Sequence, residues 1–263
     1  FNINVEGQIL GVLWVLAIGV SIDAEIYANS YGNRLRKNLF NEKKKRVSFT
    51  PYLFQTYFSQ YENWRDKALD SAQICLKSMK DVIILTMDFR RFFYNINMHE
   101  EDFDTFYENY AGRNGRCLWV KRVNTFVFEV TDGVKRNILP IGFYPSNILS
   151  NYCLNKFDDA VIDRWSPVYY GRYVDDIMIV DKVEENSWLY NLAKDNKLTE
   201  DDVIQYYMCN CNAEKGKDCM CKNNRGLLQL NKNENGENEY QVNPAVLNNK
   251  DTKVIVSKEK VKV

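Results

Sequence analysis

Apolar residues fall into two rhythms along the chain, and the switches between them mark its elements. The stretch 6–30 contains an unbroken apolar run, Ile9 to Val20, and reads as a buried helix leading to Tyr31-Gly32-Asn33-Arg34-Leu35, where Gly32 permits a turn. Residues 62–79 place Ala68, Leu69, Ala72, Cys75, Leu76 and Met79 at helical spacing, which predicts an amphipathic helix. The pattern then changes. Asp81-Val-Ile-Ile-Leu-Thr-Met87 is a short β-type run ending at Asp88, as in a buried strand that delivers a carboxylate at its end.

A further helix is predicted over Glu100–Tyr110, whereas 117–131 carries both helical and alternating features. Leu139–Ser146 has loop chemistry and precedes a predicted long helix from about Asn147 to Arg164, with Ser146 as its N-cap. Val168–Tyr173 and Ile177–Val180 are two β-type runs joined through Val174-Asp175-Asp176, a hairpin with adjacent acids at its tip. Helices near 186–194 and 199–208 follow, the second opened by Thr199, and the polar stretch 231–239 reads as a loop tip. No repeat of solenoid length is present.

Composition narrows the class. With 263 residues, 45% hydrophobic and 27% charged, the chain can bury a sizeable core and is neither low-complexity nor broadly disordered. Its 17 Tyr and 14 Phe suit either that core or a surface that stacks on bases. Thirty-five basic and thirty-five acidic residues cancel, so any site for a polyanion must be local. One such place is Arg34–Arg46, where seven basic residues face one acid, Glu42, for a net of +6; a solvated loop and a phosphate-contacting arm both fit it.

The single histidine, His99, removes Ser-His-Asp chemistry and His-rich metal sites from consideration, leaving carboxylates as metal ligands. Cys75, Cys117 and Cys153 stand singly, as in a reducing compartment, so the cytoplasm is expected. The run Ile9 to Val20 is shorter than the ~20 residues a membrane span needs, and no membrane association is expected. Because the sequence starts at Phe1 and ends in an alternating run at Val263, it reads as a piece of a longer protein.

Asp88, Asp175 and Asp176 are the strongest chemical signal. Acids at the ends of apolar strands are costly without a cation, and hard divalent ions take oxygen ligands. Three converging carboxylates suit two ions about 3.5–4 Å apart that activate a hydroxyl and stabilise a leaving pyrophosphate. Separately, Cys209, Cys211, Cys219 and Cys221 form a CxC…CxC pair that suits a structural zinc ion, or else free thiols in a mobile insertion.

Three ordered segments carry a family resemblance: DFRRFFYNI from Asp88, LPIGFYPSNILSNYCL from Leu139, and YGRYVDDIMIV from Tyr170. They resemble motifs A, B and C of reverse transcriptases, firmly over 81–181, and LPIG together with the upstream ILGVLWVLAIGVSIDAEIYANSYGNRL is similar to the bacterial abortive-infection, defence-associated branch. The resemblance implies an α+β right-hand polymerase: fingers over 1–80 and 113–145, palm over 81–112 and 146–263 with a Cys-containing insertion around 209–221, and the thumb absent or incomplete. It implies Mg²⁺ or Mn²⁺, two ions, held by Asp88, Asp175, Asp176 and the carbonyl of Phe89.

The same resemblance places Phe93 where an aromatic ring excludes a ribose 2′-hydroxyl, so that deoxynucleotides are preferred. Ile141 stands where retroviral relatives have a Gln, and Pro140, Gly142 and Ser146 form the loop expected against the nascent pair. Arg34 and Arg65, in the presumed fingers, are the candidates for a triphosphate clamp, since a guanidinium fork suits phosphate oxygens. Lys253 and Lys260 compete for the general acid of motif D, and Lys260 is favoured. The expected partners are an RNA or DNA template and primer and dNTPs, with protein priming, an associated non-coding RNA and a homo-oligomer all compatible. A retron or group II intron-type enzyme and a catalytically silent nucleic-acid-binding module are the rival readings.

Overall fold

The apolar N-terminal run folds as one continuous helical stretch: α1 (Val5–Trp14), a π-helical turn (Val15–Gly19) and α2 (Val20–Glu25). This computed structural model describes residues 3–37, 40–41, 46–47, 52–110, 117–132, 138–208 and 225–263, with the backbone alone at 40–41 and 46–47. Asn4 caps the stretch by accepting from the amide of Gly7 at 2.9 Å, and the helix ends at Glu25 rather than near residue 30. It is long and apolar enough to cross a membrane by length and composition alone. Trp14, Val15, Ile18 and Ile22 are buried in the core, whereas Val5, Ile9 and Leu13 face outward.

Two short strands, β1 (Phe40–Asn41) and β2 (Arg46–Val47), pair antiparallel. Helix α3 (Tyr57–Lys77) begins five residues earlier than its spacing predicts. Its buried stripe is Trp64, Ala68, Ala72 and Cys75, while Leu69, Leu76 and Met79, expected on the same face, are exposed. The correction follows from geometry: the small alanines lie against the sheet and let the helix approach it, which turns the bulkier residues outward.

β3 (Val82–Asp88) is the strand that its β-branched run favours. After it come α4 (Phe92–Asn95), α5 (Glu100–Tyr110) and α6 (Leu118–Asp132). The ambiguous segment is therefore helical: Val120, Val123, Asn124, Val127 and Thr131 are buried at the helical period. Trp14 and Asn124 join it to the N-terminal helix through a buried hydrogen bond of 2.8 Å.

The predicted helix over 147–164 is two helices, α7 (Tyr144–Cys153) and α8 (Asn155–Arg164), broken at Leu154. Ser146 is not its N-cap. Extended Phe143 holds that position, Pro145 lies in the first turn, and Ser146 is buried behind them. β4 (Tyr169–Tyr173) and β5 (Asp176–Lys182) form the expected hairpin. α9 (Trp188–Lys194) is capped by Ser187, and α10 (Glu200–Met208) by reciprocal bonds between Thr199 and Asp202. The polar stretch 231–239 also differs from expectation, because it includes the facing ends of β6 (Leu228–Lys232) and β7 (Asn238–Val242) with their turn between them.

β3, β5 and β4 make one antiparallel sheet in that order, with Asp88 opposite Asp176 and Val82 opposite Lys182. Strand alternation sends Ile83, Leu85 and Met87 into the main core, while Val82, Ile84 and Met178 pack with Ala68, Ala72, Tyr169 and Val180. The free edge of β3 is covered by the last residues of the chain, with Thr86 bridged to Lys262 and Phe89 to Val256. The main core runs in sequence from Trp14 to Val261.

Candidate active site

The hairpin register puts the acids together. Asp88 ends β3, Asp176 opens β5, and the two are direct cross-strand partners. Asp175 occupies the turn, where its carbonyl accepts from the amide of Phe89 at 3.3 Å. Val174, just before it, has φ 59°, a conformation that a β-branched residue adopts only under constraint.

The chain's last segment completes the site. Ser257 donates its hydroxyl to Asp88 Oδ1 at 2.8 Å and its amide to the Asp88 carbonyl at 2.8 Å. The Lys260 ammonium lies 2.9 Å from Asp88 Oδ2 while 59% of its side chain remains exposed. Of the two competing lysines, Lys260 is thus the one against the acids; Lys253 donates its amide to the carbonyl of Asn95 at 3.4 Å.

Electrostatics set the ionisation of the group. Burial, with the neighbouring Asp176 and Asp88 charges adding to it, pushes the Asp175 carboxyl up to about 6, against the opposing effects of a backbone hydrogen bond and Lys260. Asp176 is raised in the same way, by burial first and then by Asp88. The hydrogen bond to Asp88 raises Lys260.

These residues open into a cleft of about 340 Å³ whose lining includes Asp88, Phe89, Phe93, Ile141, Asp175 and Lys260. Phe93 is half-buried, and its carbonyl accepts from the amide of Leu139 at 2.9 Å, which ties α4 to the loop before α7. In that loop Pro140 is buried, Ile141 is 59% exposed, and Gly142 has φ 88° with open space where a side chain would stand. Glycine is needed there for its backbone. The Ser146 hydroxyl is buried without a hydrogen-bond partner.

Arg34 and Arg65 are not brought to the acids by any contact. The Arg34 guanidinium pairs with Asp23 Oδ1 at 2.9 Å and donates to the carbonyls of Asp23, Tyr27 and Ser30, so its donors close the turn after α2. Arg65 is exposed on α3 with Asp66 as its partner at 2.7 Å. Cys209, Cys211, Cys219 and Cys221 lie outside the described residues, while Cys75, Cys117 and Cys153 are free thiols.

The oxygen-only donor set, crowded by like charge, fits a hard divalent cation. A ready-made cage is absent: among the described residues, no three His, Cys, Asp or Glu side chains group to hold a metal ion. The expected convergence of three carboxylates is therefore partial, with the Lys260 ammonium against Asp88 in place of closer approach. Sequence reading also missed Ser257 and a fully buried pair beneath the hairpin, Arg172 with Asp158 at 2.8 Å. Arg172 was legible as a charge inside an apolar strand, whereas Ser257 carried no signal.

The sheet thus presents paired acids at a hairpin tip, beside a cleft lined by the aromatic rings of Phe89 and Phe93. The profile of the reverse transcriptase (RNA-dependent DNA polymerase) family matches residues 25–241. The chain belongs to that family and is by class an RNA-directed DNA polymerase, acting on nucleic-acid template and primer with dNTPs. The family uses divalent metal ions. A search among curated proteins finds no match.

Proposed function

We propose that this chain extends a primer hydroxyl with deoxynucleotides by two-metal phosphoryl transfer, in the cytoplasm of a bacterial anti-phage defence system. The observation that supports the chemistry is the placement of Asp88, Asp175 and Asp176 at one end of the sheet, with Lys260 against Asp88. Asp88, Asp175, Asp176 and the Phe89 carbonyl would hold the divalent ions. Such ions supply Lewis acidity at the attacking hydroxyl and at the departing pyrophosphate. The protein's own part is to orient: Phe93 and Ile141 wall the nucleotide's side of the cleft, and Phe93 excludes the 2′-hydroxyl. Lys260, which pairs with Asp88 at the rim of the cleft, would donate its proton to the leaving pyrophosphate. The defence role rests on the LPIG segment and the N-terminal stretch.

The test is incorporation of labelled dNTPs and NTPs with Mg²⁺ or Mn²⁺ on primed RNA, primed DNA or no template, beside Asp175→Ala/Asp176→Ala. Acid-dependent dNTP incorporation supports the reading, and protease-sensitive mobility of the product identifies protein priming. Complete inactivity with nucleic-acid binding intact favours the silent-module alternative. Activity that requires one dedicated structured RNA favours a retron or group II intron-type enzyme.

A further inference from the structure

Among the described residues, Arg172 is the largest charged side chain that is fully buried. Its side chain and that of Asp158 are both fully buried. The guanidinium Nε donates to Asp158 Oδ1 and Oδ2 at 2.8 and 3.0 Å, and one terminal nitrogen donates to Asp158 Oδ2 at 2.8 Å and to the Asn151 carbonyl at 3.1 Å. The other terminal nitrogen donates to Asn151 Oδ1 at 2.6 Å and to the carbonyl of Val174 at 3.2 Å. A buried ion pair adds little net stability over apolar side chains of the same size. What distinguishes this one is where its fork points.

Val174 is the residue in the left-handed conformation next to Asp175, with φ 59°. Its other side is closed by Gly32, where a Cβ would come within 2.8 Å of the Val174 amide nitrogen and 2.5 Å of its side chain. The Gly32 carbonyl is held in turn by Asn151 Nδ2 at 2.9 Å. The turn is thus gripped between Arg172 and Gly32, and Asn151 touches both.

We infer that Arg172 is a positioning residue for the reaction: its fork, braced by Asp158 and Asn151, holds Val174 in the left-handed conformation that presents Asp175 to the cleft. The inference rests on the reading of Asp175 as a metal-holding acid. Lysine in its place keeps the charge opposite Asp158 but lacks the planar fork that reaches Asn151 and Val174 together.

The experiment measures dNTP incorporation on primed RNA, and hydrogen–deuterium exchange of the peptide spanning Tyr173–Ile177, in four proteins: wild type, Arg172→Lys, Arg172→Lys/Val174→Gly and Tyr170→Phe. Arg172→Lys is expected to lower kcat by roughly ten- to a hundredfold, leave the KM for dNTP unchanged, and speed exchange in that peptide alone. Val174→Gly restores much of the loss, because glycine adopts positive φ without a clamp. Tyr170→Phe loses a 2.5 Å bond to Asp158 but leaves Arg172 on Val174, so it keeps wild-type kcat and local exchange. Wild-type behaviour of Arg172→Lys overturns the inference, and so does faster exchange spread over the whole sheet and shared by Tyr170→Phe. Should Arg172→Lys not fold, Asn151→Ala takes its place with the same expectations. Inactive wild-type protein counts against the proposed function instead, and the exchange data then decide this inference alone.

Discussion

Asp88 and Asp176 face each other as direct cross-strand partners, and burial followed by the Asp88 charge raises the Asp176 carboxyl. Two acids in this relation repel when both are ionised, and Lys260, paired directly with Asp88, offsets that repulsion at Asp176 only in part, since Asp176 remains raised. The folded chain without metal therefore holds stored repulsion at the sheet end where the chemistry is proposed. Stability and activity are opposed at these positions.

Asp176→Asn removes one of the repelling charges while preserving the shape of the turn. In chelator it should raise stability by about 0.5–1 kcal/mol, and in Mg²⁺ it should lower incorporation by about 10²-fold or more. Thermal melts beside steady-state assays check both. A variant that is destabilised and fully active contradicts the assignment.

The raised Asp175 carboxyl links stability to pH. Its folded value of about 6 lies above the ordinary 3.8, so the folded state holds that proton more tightly than the unfolded chain does. The stabilisation is complete below the ordinary value and is lost as pH rises through about 6. In chelator, wild type should thus lose stability between about pH 4 and 6.5 relative to Asp175→Asn, by on the order of 2 kcal/mol. Parallel pH profiles for the two proteins would remove this account.

Lys260 competes with any cation for Asp88. Lys260→Ala should scarcely change the melting temperature, since a half-exposed ion pair is worth little. It should bind Mg²⁺ at lower concentration in a thermal-shift titration. If the ammonium donates the proton to pyrophosphate, kcat falls by about 10²-fold in the same variant. Tighter Mg²⁺ binding with unchanged kcat would assign the residue to competition alone.

The carboxylates and their hairpin were legible because their signal is local: β-type runs that end in acids have few structural explanations. Of the supporting groups, Lys260 was named through the family resemblance alone and Ser257 not at all. Both reach Asp88 through a bridge between β3 and a segment about 170 residues later, Phe89 with Val256, and no periodicity encodes such a pairing. Arg34 belongs to a basic run, and its local role was not legible either: its fork meets the carbonyl of Asp23 in α2 and those of Tyr27 and Ser30 in the turn beyond it. The break at Leu154 went unread because no Gly or Pro marks it.

Phe93 offers the sharpest separation of chemistry from stability. It lines the cleft with Asp88 and Asp175, and it meets Phe92 edge-on at 6.0 Å. Phe92 is buried and Phe93 only half so, which leaves Phe93 the ring with a side open to the cleft. Shortening it to alanine opens room for a ribose 2′-hydroxyl without touching an acid. Phe93→Ala should therefore reduce the preference for dNTP over NTP by about tenfold or more, mostly through better use of NTP, while incorporation of dNTP persists. Competition between labelled dNTP and NTP on one primed template measures the ratio directly. Equal loss of both substrates would show that Phe93 serves packing of α4 and not selection of the sugar.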